Sequence, residues 1–185
     1  MKPANEAGNT EGRTLKMKKL KQLTDTERAY IAGFIDGDGC INAQIVFRSD
    51  YRLLFQIRLS VTFYQHKRRK WLLLKLQKMI GQGTLRTRPD NICEYTLVGP
   101  EIVKNLLSIL KPFIRGKNRQ LTLSLIIIHR LSRNQTRKEF FHLCKITDHF
   151  GFLNDSKKRT ITKEVVEKTW EFFDEKIIKN QSTLD

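Results

Sequence analysis

The run Asp36-Gly37-Asp38-Gly39 sets two carboxylates two residues apart among glycines. Carboxylate oxygens joined by a backbone carbonyl suit a hard cation such as Mg2+, which keeps several of its own waters. Such a cation neutralises phosphate charge and lowers the pKa of an attacking water. By residue type Asp36 and Asp38 both qualify, and these four residues alone equally suit a tight turn or a calcium loop. Other chemistries have less support. Cys40, Cys93 and Cys144 are widely spaced without a CxxC pair, and His66, His129, His142 and His149 form no HExxH or similar pattern. A zinc site or disulfide scaffold therefore has no framework, and the thiols read as those of a reducing compartment. Lys and Arg number 35 against 19 acidic residues, a formal net charge of +16 over 185 residues. That excess calls for a polyanionic partner, nucleic acid first and an anionic membrane second. With 39% hydrophobic residues and eleven Phe the chain is no simple disordered basic tail. Its longest apolar run, near Leu125 to Ile128, is far too short to cross a bilayer.

Positioning these groups falls to elements legible in the pattern. Thr24 and Glu27 have capping-box spacing and predict a helix from Asp25 to about Asp36, broken by Gly37 to Gly39. Alternation follows. Ile41, Ala43, Ile45 and Phe47 share one face of a strand, and Phe55, Ile57, Leu59, Val61 and Phe63 share one face of the next. A helix is expected from about His66 to Ile80, with Leu72, Leu73, Leu76 and Ile80 inward and Gly81 as its stop. A second hairpin runs over Thr84 to Arg88 and Ile92 to Leu97, and Pro100 opens a helix to Leu110. Further helices are expected near residues 119–131, 138–150 and 162–178. The fold class is thus α+β: an αββαββα order, one four-stranded antiparallel sheet with helices on a single face, and additional C-terminal helices. Residues 1–23 read as a disordered basic polar tail with no apolar core of a secretory signal, 24–160 as the core, and 161–185 as a C-terminal helix and tail.

Such a sheet leaves one broad face open. Asn42, Gln44, Val46 and Arg48 lie on that face of the first strand, and Gln56, Arg58 and Thr62 on that of the second. Arg86 and Arg88 follow from the third, Glu94 and Thr96 from the fourth. Solvated faces usually mix Lys with Glu. This one favours Arg, Gln and Asn, the types that make bidentate contacts with G and A edges in the major groove, while Val46 can touch a thymine methyl. A ten-residue strand spans roughly 33 Å, about one turn of B-DNA.

The stretch Ile31-Ala32-Gly33-Phe34-Ile35-Asp36-Gly37-Asp38-Gly39 resembles the LAGLIDADG motif of homing endonucleases, with Ile31, Phe34 and Gly37 standing for Leu, Leu and Ala. Similarity to the chloroplast-intron, single-motif type extends over about Asp25 to Lys158. It includes Gln65-x-x-x-Arg69-x-Trp71, Pro112-Phe113 to Lys117, and Leu153-Asn154-Asp155-Ser156-Lys157. Gly33 and Gly37 lie on one face of the helix end, where missing side chains admit a partner helix. The resemblance implies that this partner belongs to a second copy, with Gly33, Asp36 and Gly37 at the interface of a homodimer. It implies Mg2+, with Mn2+ able to substitute, held by Asp38 and the Gly39 carbonyl, Asp36 being structural. It implies Gln65 positioning water, and Arg69 and Lys117 lending positive charge to the transition state, so that Asp38, Gln65, Arg69 and Lys117 form the catalytic set. The activity implied is a site-specific double-strand DNA endonuclease making staggered cuts at a long pseudo-palindromic target, promoting intron mobility in an organelle, chloroplast before mitochondrion. The alternatives are an RNA-binding intron maturase and a DNA-binding protein without catalysis.

Overall fold

The computed structural model describes residues 20–154 and 159–181, with side chains through Glu175. Most of the expected N-terminal tail, residues 1–19, lies outside the described residues, as do Asp155, Ser156 and Lys157 of the resemblance. Leu23, assigned to that tail, is buried in the core.

Helix α1 (Asp25–Asp38) starts on the predicted capping box: Thr24 Oγ1 accepts from the Glu27 amide at 3.3 Å, and the Glu27 carboxylate accepts from the Thr24 amide at 2.9 Å. Its end differs from expectation. The helix does not break at Gly37 but continues through Asp38, and the backbone turns extended only at Gly39, whose N–H donates to the Ile35 carbonyl. The cause is a tertiary contact. Lys117 Nζ donates to the Asp36 carbonyl at 2.6 Å, placing a cation on the carbonyls that a helix end leaves unpaired.

Strand β1 (Gly39–Phe47) pairs antiparallel with β2 (Phe55–His66), β2 with β4 (Ile92–Val98), and β4 with β3 (Thr84–Thr87), giving the order β1-β2-β4-β3. The alternation holds: Ile41, Ala43, Ile45, Ile57, Leu59, Val61 and Phe63 are buried. Phe47 departs from it, 49% exposed at the hairpin end and edge-on to Phe55. Helix α2 (Lys70–Ile80) begins four residues later than expected. His66 is still paired to Ile92 in the sheet, and its Nδ1 accepts from the Arg68 amide to cap a 3-10 turn over Lys67–Arg69. Leu73, Leu76 and Ile80 are buried, whereas Leu72 is only half-buried.

Helices α3 (Pro100–Leu110), α4 (Asn118–Arg130) and α5 (Arg137–Asp148) join α1 and α2 in contact with the sheet. After the short α6 (Phe150–Leu153), helix α7 (Lys163–Gln181) is no loose appendage. Trp170 packs on Phe140 and donates from Nε1 to the Leu53 carbonyl at 2.9 Å, and Arg137 pairs with Asp174 at 2.6 Å. No helix among the described residues is long and apolar enough to cross a membrane.

Candidate active site and nucleic-acid face

Asp38 is the last residue of α1, and its side chain is exposed. Gln65, near the end of β2 and only 8% exposed, donates from Nε2 to Asp38 Oδ2 at 2.6 Å. One carboxylate oxygen is thus held by a buried amide, while the other has no partner among the described residues. Nor does any group of three or more His, Cys, Asp or Glu come together among them. A single exposed carboxylate fits a cation that stays largely hydrated, the habit of Mg2+, and not a dehydrated protein cage. Gly39 is fixed by sterics. A Cβ there would lie 2.6 Å from Ile35 Cα and 2.9 Å from its carbonyl oxygen, both backbone atoms. Gly39→Ala is therefore expected to lower stability by about 1–3 kcal/mol, read as a fall in denaturation midpoint. An unchanged midpoint would show that the junction yields freely.

Asp36, two residues back, faces its own chain. Its carboxylate accepts from the backbone amides of Arg115 at 2.7 Å and Lys117 at 3.0 Å. Burial pushes this carboxyl up, but the amides of Arg115, Lys117 and Gly116 and the Lys117 charge outweigh it and hold it below the usual range. A folded pKa below the unfolded one stabilises the fold above the unfolded value near about 4 and is lost as pH falls through the folded value. Asp36→Asn should accordingly lower the melting temperature at neutral pH, with the gap to wild type closing in acid. A gap independent of pH would mean that the charge is not what holds the 115–117 loop.

The structure thus joins Asp38 to Gln65 and Asp36 to Lys117 at one helix end. Arg69 stays outside this bonded cluster, exposed on the 3-10 turn after β2. Gly33 and Gly37 are exposed, a Cβ at either would meet no atom within 4 Å, and Tyr30 flanks them at 44% exposure. The inward turn of the Asp36 carboxylate separates it from that open face, where the resemblance sets it with the two glycines.

The polar side of the sheet forms a groove lined by Asn42, Gln44, Arg58, Thr62, Arg86, Glu94 and Thr96 of the expected set. Ser60, which alternates onto the same face with Gln56, Arg58 and Thr62, also lines it, as do Tyr64, Thr84 and Val98 from outside the expected set; continuing that alternation reaches Tyr64. Gln44 and Arg58 face each other across β1 and β2, and neither side chain has a partner among the described residues. Glu94 is only 6% exposed and anchors two guanidinium groups, Arg86 Nε at 2.5 Å and Arg88 Nη1 at 3.2 Å. Arg88 also pairs with Asp90 at 2.7 Å. Arg48 sits at the hairpin tip, paired with Asp50 at 2.9 Å and lying over the Tyr51 ring. Thr96 donates to Thr62 at 3.2 Å, while half-buried Val46 and Gln56 pair near the same tip. Asn42 is occupied within the chain: its Oδ1 accepts from Arg159 Nη2 at 3.0 Å.

Comparison with known proteins places this arrangement. A family model described as LAGLIDADG endonuclease matches residues 31–127. DNA endonuclease I-CvuI of Chlorella vulgaris is 42% identical over 138 residues, 75% of this chain and 86% of that protein. DNA endonuclease I-CreI of Chlamydomonas reinhardtii is 37% identical over 148 residues, covering 80% and 90%. A crystal structure of the homing endonuclease I-CvuI in complex with its target superposes with a TM-score of 0.74 at 40% identity, covering 77% of this chain and 91% of that one. The archaeal intron-encoded homing endonuclease I-Vdi141I, complexed with DNA, shares the fold at a TM-score of 0.70 and 19% identity.

Proposed function

This chain belongs to the LAGLIDADG endonuclease family, and on that premise we propose that it is a site-specific double-strand DNA endonuclease acting as a homodimer. The observation that carries the reading is the Asp38 carboxylate, held by Gln65 where α1 meets a sheet whose open face presents Gln44, Arg58 and Arg86. One chain supplies one such carboxylate. A second copy packed along Gly33 and Gly37 supplies the other, one for each DNA strand, and closed twofold symmetry calls for a pseudo-palindromic target.

Asp38, with carbonyls of the α1–β1 junction including that of Gly39, would hold Mg2+, and Mn2+ should substitute. Bound there, the ion supplies charge neutralisation at the scissile phosphate and a lowered pKa for an attacking water. The side chains do the rest. Gln65 orients the carboxylate it already bonds and positions water beside it. Lys117, seated on the last carbonyls of α1, adds positive charge where the phosphate becomes more negative. Arg69 is exposed, with no partner among the described residues, and is free to reach a phosphate. Along the groove Arg58 and Gln44 read base edges. Arg86 and Arg88, pre-oriented by Glu94, read further base edges from the other side of the sheet. Arg48 and Gln56, with Val46, serve the outermost positions near the hairpin tip. The algal relatives and the resemblance fit an organellar, chloroplast setting and a role in intron mobility.

The test is cleavage of a randomised plasmid library with Mg2+, followed by sequencing of the cut ends. A long near-palindromic consensus with constant stagger is expected. Folded protein that binds nucleic acid and enriches no cut site would favour an RNA-binding maturase or a silent DNA binder. With the consensus known, Arg86→Ala should relax base preference at one pair of symmetric positions by about 1–3 kcal/mol. A uniform loss of affinity across sequences would make Arg86 a phosphate contact.

A further inference from the structure

The residue that occupies Asn42 lies at the far end of the core expected from the motif. Arg159 follows α6 and precedes α7, and its Nη2 donates to Asn42 Oδ1 at 3.0 Å. Asn154, at the end of α6, donates from Nδ2 to the Ile41 carbonyl at 3.0 Å and to the same Asn42 oxygen at 3.4 Å. Strand β1 has a sheet neighbour on one side only. Two side chains from the C-terminal part of the chain therefore grip its first residues from outside the sheet, directly after the junction that carries Asp38.

The grip is anchored behind. Asp148, ending α5, accepts from the backbone amide of Lys163, the first residue of α7, at 3.0 Å. Its charge acts on Arg159. Its Oδ1, like Nε and Nη1 of Arg159, is buried with no hydrogen-bond partner among the described residues. A half-buried guanidinium with one donor used among the described residues is costly to keep in place for stability alone, since an apolar side chain fills such space without unpaired groups. Among the described residues the one bond that it makes goes to the strand bearing the reacting end.

We propose that Arg159 is a positioning residue for DNA cleavage: by locking Asn42 it fixes the start of β1 and so the placement of Asp38, and Asn42 is a strut and not a base reader. The Gly39 N–H donates to the Ile35 carbonyl, which ties the strand start to the helix end. A shift of β1 is thereby passed to the carboxylate, and displacement of a reacting group by about 1 Å can cost roughly 100-fold in rate. The inference rests on the nuclease reading above.

The test uses full-length protein and the consensus duplex recovered from the library. Single-turnover cleavage at saturating protein is measured for Arg159→Ala, Asn42→Ala and the double variant, with binding read in the absence of divalent metal. Each single change is expected to slow cleavage about 10- to 100-fold. The double variant should be no slower than the worse single one, and affinity and base preference should stay at wild-type values. Arg159→Lys, which keeps a donor and the charge, should recover part of the rate. Multiplying losses in the double variant would overturn the proposal. So would a changed base preference in Asn42→Ala at full rate, which makes it a reader, or a uniform affinity loss with a shallower salt dependence in Arg159→Ala, which makes it a phosphate contact. Should Arg159→Ala fail to fold, Asn42→Ala and Arg159→Lys carry the same comparison. Failure of the wild-type protein to cut any sequence would instead refute the nuclease reading.

Discussion

Asp38→Asn is expected to abolish cleavage, by at least about 10³-fold, while leaving the fold and DNA affinity close to wild type. The side chain is exposed, so no core packing is lost, and the substituted amide oxygen can still accept from Gln65. What disappears is the carboxylate's negative charge, together with the second oxygen as an acceptor for a cation. Affinity is dominated by cations meeting phosphates and by the polar groove, to which Asp38 does not contribute. Linearisation of a target plasmid in Mg2+, beside a gel-shift measurement without metal, separates the two quantities. Cleavage at the wild-type rate would remove Asp38 from the metal site. Loss of binding along with cutting would make it a structural residue. Asp36→Asn is the informative control, because its carboxylate bonds the 115–117 backbone and its removal should act on stability.

The second large effect divides by sign. A Cβ at Gly33 or Gly37 meets nothing within 4 Å in its own chain. Ala at Gly33, inside α1, should therefore stabilise the isolated helix by about 1 kcal/mol, the usual gain over glycine. Association should move the other way, because two helices that approach through glycines are pushed apart by side chains. Gly33→Leu is expected to give a folded monomer that no longer makes double-strand cuts, with apparent affinity for the full target falling at least about 100-fold as two linked half-site contacts become one. Sedimentation and circular dichroism on the same sample read both halves of this result. A dimer that survives Gly33→Leu would move the twofold axis away from this face. Unfolded protein would mean that the glycine serves packing within the chain.

Much of the scaffold was legible locally. The capping box at Thr24, the period-two strands around Ile41 and Ile57, and Pro100 opening α3 all depend on backbone geometry over a few residues, and all stand as read. The same alternation assigned Gln44, Arg58, Arg86 and Glu94 to the open side, where the structure has them. The misread points share a cause. Helix α1 outlasts Gly37 because Lys117 seats on its last carbonyls, and α2 starts late because His66 remains paired in the sheet. In each case a neighbour distant in sequence overrides a local preference.

Residue types and their periods therefore settled the classes of element, the polar open face of the sheet and the place of the acidic motif at the end of α1. They left open the strand order β1-β2-β4-β3 and every pairing that makes the site specific. Gln65 meets Asp38 across 27 residues, Lys117 meets Asp36 across 81, and Arg159 meets Asn42 across 117. Such contacts are set by how helices and sheet pack once the chain has collapsed, and no rule acting over one turn or one strand can encode them.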